Sequence, residues 1–74
     1  MDQSIIDNIF RYHAPQGEQA GEYELIRGEA RRFAMLLYVL CPDNREKSIA
    51  MTRLEEVVMW ANASIARNPE GRTL

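Results

Sequence analysis

Apolar residues recur at spacings of three and four along two long stretches of the chain, a pattern that is typical of amphipathic α-helices. In the first stretch they are Tyr23, Ile26, Ala30, Phe33, Leu37 and Leu40, and in the second Ala50, Leu54, Val57, Ala61 and Ile65, with the small polar residue Ser64 in the same stripe. The two patterns predict long helices over residues 19–41 and 44–68. No alternation of apolar and polar residues indicates a β-strand, so the predicted fold class is all-α.

A shorter apolar cluster near the N-terminus predicts a third helix over residues 3–10. Ser4 is its expected N-cap, because a serine side chain can accept a hydrogen bond from a free backbone N–H of the first turn. Pro15 and Gly17 interrupt the helical pattern after this cluster. The segment around them is therefore expected to be irregular.

Pro42 separates the two long helices. Asp43 is the expected N-cap of the second one, with Glu46 three residues later as the other half of a capping box. Two helices of about 30 Å each, joined by a few residues, are expected to lie antiparallel as a helical hairpin. The whole chain, residues 1–74, then forms one domain that ends in a frayed tail over residues 69–74.

The apolar surface of the two long helices exceeds what a hairpin can bury. Residues 35–40 and 57–61 are apolar on every side of their helices, whereas each helix of a hairpin buries only one face. Tyr38, Met59 and Trp60 are therefore expected to contact other subunits. This surplus predicts a homo-oligomer.

Composition and charge exclude several classes of protein. Nine lysines and arginines against eleven acidic residues give a net charge of -2, unlike the strongly basic proteins that bind nucleic acid polymers. No apolar run reaches the roughly 18 residues of a membrane span, and no secretory signal is visible. One cysteine and one histidine exclude an internal disulfide and an all-Cys/His zinc site within one chain. We expect a cytoplasmic protein without metal or cofactor.

The sequence contains no recognisable catalytic arrangement. It lacks a Ser/His/Asp signature, a glycine-rich phosphate loop and a paired-histidine metal motif. Cys41 is interpreted as a small apolar residue at a helix end, and the pair Glu55–Glu56 as a solvated helix face. No catalytic residue is predicted, and the protein is not expected to be an enzyme.

The first candidate binding surface is the segment of residues 10–15, which contains Tyr12 and His13. Aromatic rings stack on nucleobases, and tyrosine, histidine and arginine can donate hydrogen bonds to phosphate. The alternative is that the aromatic residues fix the first helix against the hairpin while His13 stays exposed. Composition alone favours this structural alternative.

The second candidate is the start of the last helix, where Arg45 and Lys47 stand in the first turn. Cations there oppose the helix dipole, an arrangement that is tolerated on a surface or used where an anion binds. A solvated turn, with Glu46 balancing the charge, explains the same residues equally well.

Further basic residues lie on the two long helices. In an antiparallel hairpin the end of the last helix lies near the start of the one before it. One end of the hairpin is therefore expected to contain Tyr12, His13, Arg27 and Arg67, and the other end Arg45 and Lys47. An antiparallel neighbour could bring the two ends together.

Several short motifs resemble a known family. They are Tyr12-His13-x-Pro15, Ile26-Arg27, Cys41-Pro42, Arg45-Glu46-Lys47-Ser48-x-Ala50-x-Thr52-x-Leu54-Glu55-Glu56 and Met59-Trp60-Ala61-Asn62-Ala63-x-Ile65-Ala66-Arg67. Over about residues 10–68 the chain resembles small phage and prophage proteins of the helical-hairpin type, the anti-CBASS and anti-Thoeris sponges.

The resemblance implies a helical protomer that assembles into a hexamer and sequesters cyclic di- or trinucleotides, or cyclic ADP-ribose isomers, without cleaving them. It further implies that the ligands lie between protomers, in the cytoplasm of an infected or lysogenic bacterial host. Tyr12 and Arg27 stand at places comparable to the family's phosphate-binding tyrosine and basic residue, and Arg67 to a late arginine. Asn68 and Pro69 depart from the pattern where a further basic residue is expected.

Two functions of different classes follow. The first is a sponge for cyclic nucleotide signals, with ligand contacts from Tyr12, His13, Arg27, Arg67 and either Arg45 or Lys47. The alternative is a helical adaptor or inhibitor that binds a host protein through an apolar face containing Tyr38, Met59 and Trp60. A bundle of helices without any ligand is also compatible with the sequence.

Overall fold

Three helices and no strand form the described part of the chain, residues 2–68, in a computed structural model. Helix α1 spans Gln3–Phe10, α2 spans Gln19–Leu40 and α3 spans Arg45–Arg67. Helices α2 and α3 pack along each other as a hairpin. The predicted all-α class is confirmed for these residues, and the predicted tail lies outside them.

Three of the six helix ends differ from the predicted ends by one residue, and α1 and α3 have N-caps other than the expected ones. Asp2, not Ser4, is the N-cap of α1, and its carboxylate accepts a hydrogen bond from the Ser4 N–H at 3.0 Å. The expected capping box of Asp43 and Glu46 is also wrong. Asn44 is the N-cap of α3, and its side-chain oxygen accepts from the Lys47 N–H at 2.8 Å. The Asp43 carboxylate instead accepts from the Lys47 ammonium at 2.9 Å.

The strip along which α2 and α3 face each other, here called the seam, is lined by half-buried residues. On α2 they are Tyr23, Ile26, Ala30, Ala34 and Leu37, and on α3 Ala50, Leu54, Val58, Ala61 and Ile65. The predicted apolar stripe is wrong at four positions, since Phe33, Leu40, Val57 and Ser64 are exposed. Neighbouring apolar residues such as Phe33 and Ala34 both fall within a stripe about 100° wide, and the pattern does not tell which one faces the partner.

The hairpin has no dry core of its own. Among residues 2–68 no hydrophobic side chain is buried, and the one buried residue is Gln19, with 7% of its surface exposed. The predicted interface residues Tyr38, Met59 and Trp60 are 63%, 61% and 65% exposed. The apolar surplus expected from the sequence is therefore present on the surface of the single protomer.

Candidate functional site

The end of the hairpin where α2 begins and α3 ends is held together by side-chain amides. The last carbonyls of a helix have no partner within the helix. At this end of α3, Asn68 Nδ2 donates to the Ser64 oxygen at 3.1 Å, Gln19 Nε2 to the Ile65 oxygen at 3.3 Å and Asn8 Nδ2 to the Arg67 oxygen at 3.2 Å. Through Asn8 and Gln19 these bonds fix both α1 and the start of α2 against α3.

Two further hydrogen bonds hold the loop that contains His13. The His13 ring lies 2.7 Å from the backbone oxygen of Asn8 through its Nε2. Because a carbonyl oxygen only accepts, Nε2 carries the hydrogen. Farther along the loop, Gln19 Oε1 accepts from the Gln16 N–H at 2.8 Å, and Gly17 takes the left-handed backbone conformation (φ 56°) that glycine adopts readily. The loop is thus tied to the helices on both sides of the imidazole.

His13 and Arg27 share one surface depression, here called the His13 pocket. It has a volume of about 310 Å³ and is lined by His13, Tyr23, Arg27, Asn62, Ala63 and Ala66. The structure therefore brings together two of the site residues predicted from the sequence. It adds a phenol from α2 and a carboxamide from α3.

The polar groups of the His13 pocket have free hydrogen-bonding capacity. Arg27 is exposed and makes no hydrogen bond or ion pair with any residue of the range 2–68. Asn62 Oδ1 is buried and has no hydrogen-bond partner there. A buried acceptor without a partner is unfavourable for the fold. The unpaired guanidinium of Arg27 lines the same depression and suits a ligand with a phosphate group.

Tyr12 and Arg67 lie next to residues that line the His13 pocket but are not among its lining residues. Tyr12 directly precedes His13 and is 82% exposed. Arg67 follows Ala66 and is half-buried, and its backbone oxygen holds Asn8. Both remain predicted ligand residues, placed beside the pocket.

Arg45 and Lys47 lie at the opposite end of the hairpin, as the sequence predicts. Arg45 is exposed. The Lys47 ammonium donates to the Tyr38 backbone oxygen at 3.0 Å and to Asp43 Oδ1 at 2.9 Å, and it lies 4.4 Å from the centre of the Tyr38 ring. Its hydrogen bond and charge hold the pKa of Asp43 below the usual range of an aspartate. Lys47 therefore has a structural task in the turn, and its role as a ligand contact stays a prediction.

Tyr23 was not predicted as a residue of the site, and neither were three carboxamides that position or line it. Asn8 and Gln19 hold the loop, and Asn62 lines the His13 pocket. Each is a carboxamide within a helical pattern, where it is usually solvated. Asn8 and Gln19 bind backbone groups that are distant in sequence, and Asn62 lines a cavity between helices. The local pattern of polar and apolar residues predicts neither arrangement.

Residues 2–68 include neither a metal-binding cluster nor a membrane-spanning helix. This range contains no group of three or more His, Cys, Asp or Glu side chains that could hold a metal ion. None of its helices is both long and apolar enough to cross a membrane.

A family model matches residues 1–66 of the chain, and its description is Acb2/Tad1, hairpin domain. The matched range contains every residue that lines the His13 pocket. Neither the curated proteins nor the solved structures include a match to the chain.

Proposed function

Because the chain belongs to the Acb2/Tad1 hairpin family, the phage anti-CBASS and anti-Thoeris sponges, we propose that it binds and sequesters a cyclic nucleotide signal without cleaving it. The ligand class is a cyclic di- or trinucleotide or a cyclic ADP-ribose isomer. The proposed place of action is the cytoplasm of an infected or lysogenic bacterial host, where such signals are made. The family match carries this proposal, and the geometry of the site supports it.

The His13 pocket offers the groups that a cyclic nucleotide needs. The guanidinium of Arg27 can bind a phosphate through charge-assisted hydrogen bonds, and it has no competing acidic partner within residues 2–68. The imidazole of His13 and the phenol of Tyr23 line the same depression and can contact a base. Tyr12, exposed beside the pocket, is the proposed stacking partner from its rim.

We further propose that the site is completed by other copies of the chain in a homo-oligomer, with a hexamer as the expected form. The exposed apolar residues Tyr38, Met59 and Trp60 support assembly, since a stable soluble monomer rarely leaves such side chains uncovered together. Between antiparallel neighbours, Arg45 and Lys47 of one copy would approach Arg27 and Arg67 of another. Each arginine would then serve a site that one protomer cannot form alone.

Calorimetric titration of the oligomer with cyclic di-AMP, cyclic di-GMP, cyclic tri-AMP and the cyclic ADP-ribose isomers tests the proposal. We expect at least one ligand to bind tightly, with slow release, and to be recovered intact by chromatography after denaturation of the protein. Arg27→Ala should weaken this binding by about 10- to 100-fold, the usual effect of losing a hydrogen bond to a charged group. Failure of every ligand to bind, or recovery of a cleaved product, would contradict the proposal.

Arg32→Ala is the matched control for Arg27→Ala. Arg32 lies on the same helix and is exposed, but it forms an ion pair with Glu29 at 3.3 Å. It does not line the His13 pocket. We expect Arg32→Ala to bind ligand as the wild-type protein does.

The second candidate function, a helical adaptor that binds a host protein, is favoured by the same exposed apolar residues. Light scattering separates the two functions. A protein that stays monomeric at micromolar concentration leaves this face free for another protein and favours the adaptor. A closed oligomer covers it and favours the sponge.

A further inference from the structure

A second depression runs along the hairpin beside the His13 pocket and is here called the arginine groove. It has a volume of about 440 Å³, and Arg27 and Arg31 from α2 stand on one side of it, with Thr52 and Glu55 from α3 on the other. Between them lie apolar residues of the seam, among them Ala30. Arg27 lines both the arginine groove and the His13 pocket. The two depressions therefore meet at this one side chain.

The two arginines of the groove are uncompensated cations. They are four residues apart on α2, so they lie on the same face of the helix, where like charges repel each other. Both are exposed, and neither forms an ion pair or hydrogen bond within residues 2–68. Glu55 lines the same groove but pairs with neither of them. An anion between the two guanidinium groups would relieve this repulsion.

Two other arginines on the long helices are compensated by a neighbouring carboxylate. Arg32 pairs with Glu29 at 3.3 Å, and Arg53 pairs with Glu56 at 2.9 Å. Arg27 and Arg31 lack such a partner within residues 2–68, as do Arg45 and Arg67 on α3. What distinguishes Arg27 and Arg31 is that both line the same groove.

The floor of the arginine groove is suited to a flat, weakly polar group. Ala30 and Ala34 have short side chains that leave depth between the helices, and Leu54 and Val58 make the bottom apolar. A nucleobase can lie on such a surface while an arginine plane stacks on it or holds the adjoining phosphate. An apolar floor beside two cations is the combination that one nucleotide unit requires.

We propose that the arginine groove binds a second nucleotide unit of the cyclic ligand, with Arg31 holding a second phosphate while Arg27 holds the first. The inference rests on the proposed function and deepens it. The Thr52 hydroxyl donates a further hydrogen bond to the ligand from α3. Glu55 lowers the affinity for the anion and so limits how tightly polyanions bind.

The test measures the affinity of the intact oligomer for the cyclic dinucleotide that the wild-type protein binds most tightly. Arg31→Gln should weaken this binding by about 10- to 100-fold. Because Arg31 is exposed, its replacement is not expected to disturb folding, and circular dichroism checks this. Arg32→Gln, one position along the helix, is the control and should bind the ligand as the wild-type protein does.

Glu55→Gln gives a change in the opposite direction. Removing a carboxylate from the groove should strengthen cyclic dinucleotide binding by about two- to fivefold, the size expected for an exposed charge. Glu56→Gln is its control, since Glu56 is paired with Arg53 and does not line the groove. An increase for Glu55→Gln together with a loss for Arg31→Gln supports the groove as the ligand's second subsite.

Each other outcome has a definite meaning. If the wild-type protein binds a cyclic nucleotide and Arg31→Gln binds it equally well, the inference is wrong while the proposed function stands. The inference is also overturned if Arg31→Gln and Arg32→Gln lose affinity equally, or if Arg31→Gln changes the oligomer mass measured by light scattering. If the wild-type protein binds none of the cyclic nucleotides, the proposed function itself fails.

Discussion

Gln19 shows how one side chain can set the geometry of the site without touching a ligand. It is the buried polar residue of the described chain, and its carboxamide contacts both the loop at Gln16 and the end of α3 at Ile65. Both partners are backbone groups that would otherwise lack a hydrogen bond within the protein. Gln19 is therefore a positioning residue for the loop that contains His13.

Replacing Gln19 by alanine should destabilise the protein measurably. The change leaves a backbone N–H and a carbonyl without their partner, at a cost of about 1–3 kcal/mol. For a chain of this length, that corresponds to a decrease in melting temperature of about 4–20 °C in thermal denaturation. Gln16→Ala is the control, because the hydrogen bond of Gln16 to Gln19 uses its backbone N–H. Equal melting temperatures for Gln19→Ala and wild type would show that the contact is dispensable.

The three helices were predictable as elements, but the details of their ends were not. The periodicity of α2 and α3, with Pro42 between them, indicates the hairpin directly. Competition among adjacent polar residues decided the caps: Asp43 could cap α3 or bind the Lys47 ammonium, and Asn44 took the capping role. The proximity of His13 and Arg27 was predictable, because it follows from the antiparallel arrangement of the hairpin. The position of the Asn62 carboxamide in the His13 pocket was not predictable, because the cavity depends on the packing of both helices.

The turn between α2 and α3 should respond to pH through Asp43. The ammonium of Lys47 lowers the Asp43 pKa in the folded protein, so this contact stabilises the fold above the ordinary aspartate pKa. Its contribution is lost as the pH falls through the lowered value. The melting temperatures of the wild type and Asp43→Asn should therefore differ most near neutral pH and converge in acid, once Asp43 is protonated in the folded protein. Asp7→Asn is the control, and a pH-independent difference for Asp43→Asn would contradict this reading.

On the scale of the whole molecule, much of the apolar surface of the single chain is exposed. Two long helices pack along one seam, while Leu25 and Val39 on α2 remain 70% and 72% exposed. The apolar groups that a single chain of 74 residues would need for a core are thus present but face outward. Assembly with further copies would bury them and supply the missing stability.

The single tryptophan can report on the proposed assembly. Trp60 is 65% exposed in the protomer, so covering it in an oligomer should shift its fluorescence to shorter wavelength, and dilution to monomers should reverse the shift. Because replacing Trp60 would remove the fluorophore, the test replaces the neighbouring residue. The variant Met59→Glu is followed by the fluorescence of Trp60 and by light scattering. We expect Met59→Glu to give a smaller particle with red-shifted emission, because a charge in a covered apolar contact is unfavourable. Gln3→Glu places the same charge on an exposed polar residue of α1 outside the predicted interface and should leave both signals unchanged. If the wild-type particle has the mass of one chain at every concentration, or if both variants dissociate alike, Met59 and Trp60 do not form the contact between copies.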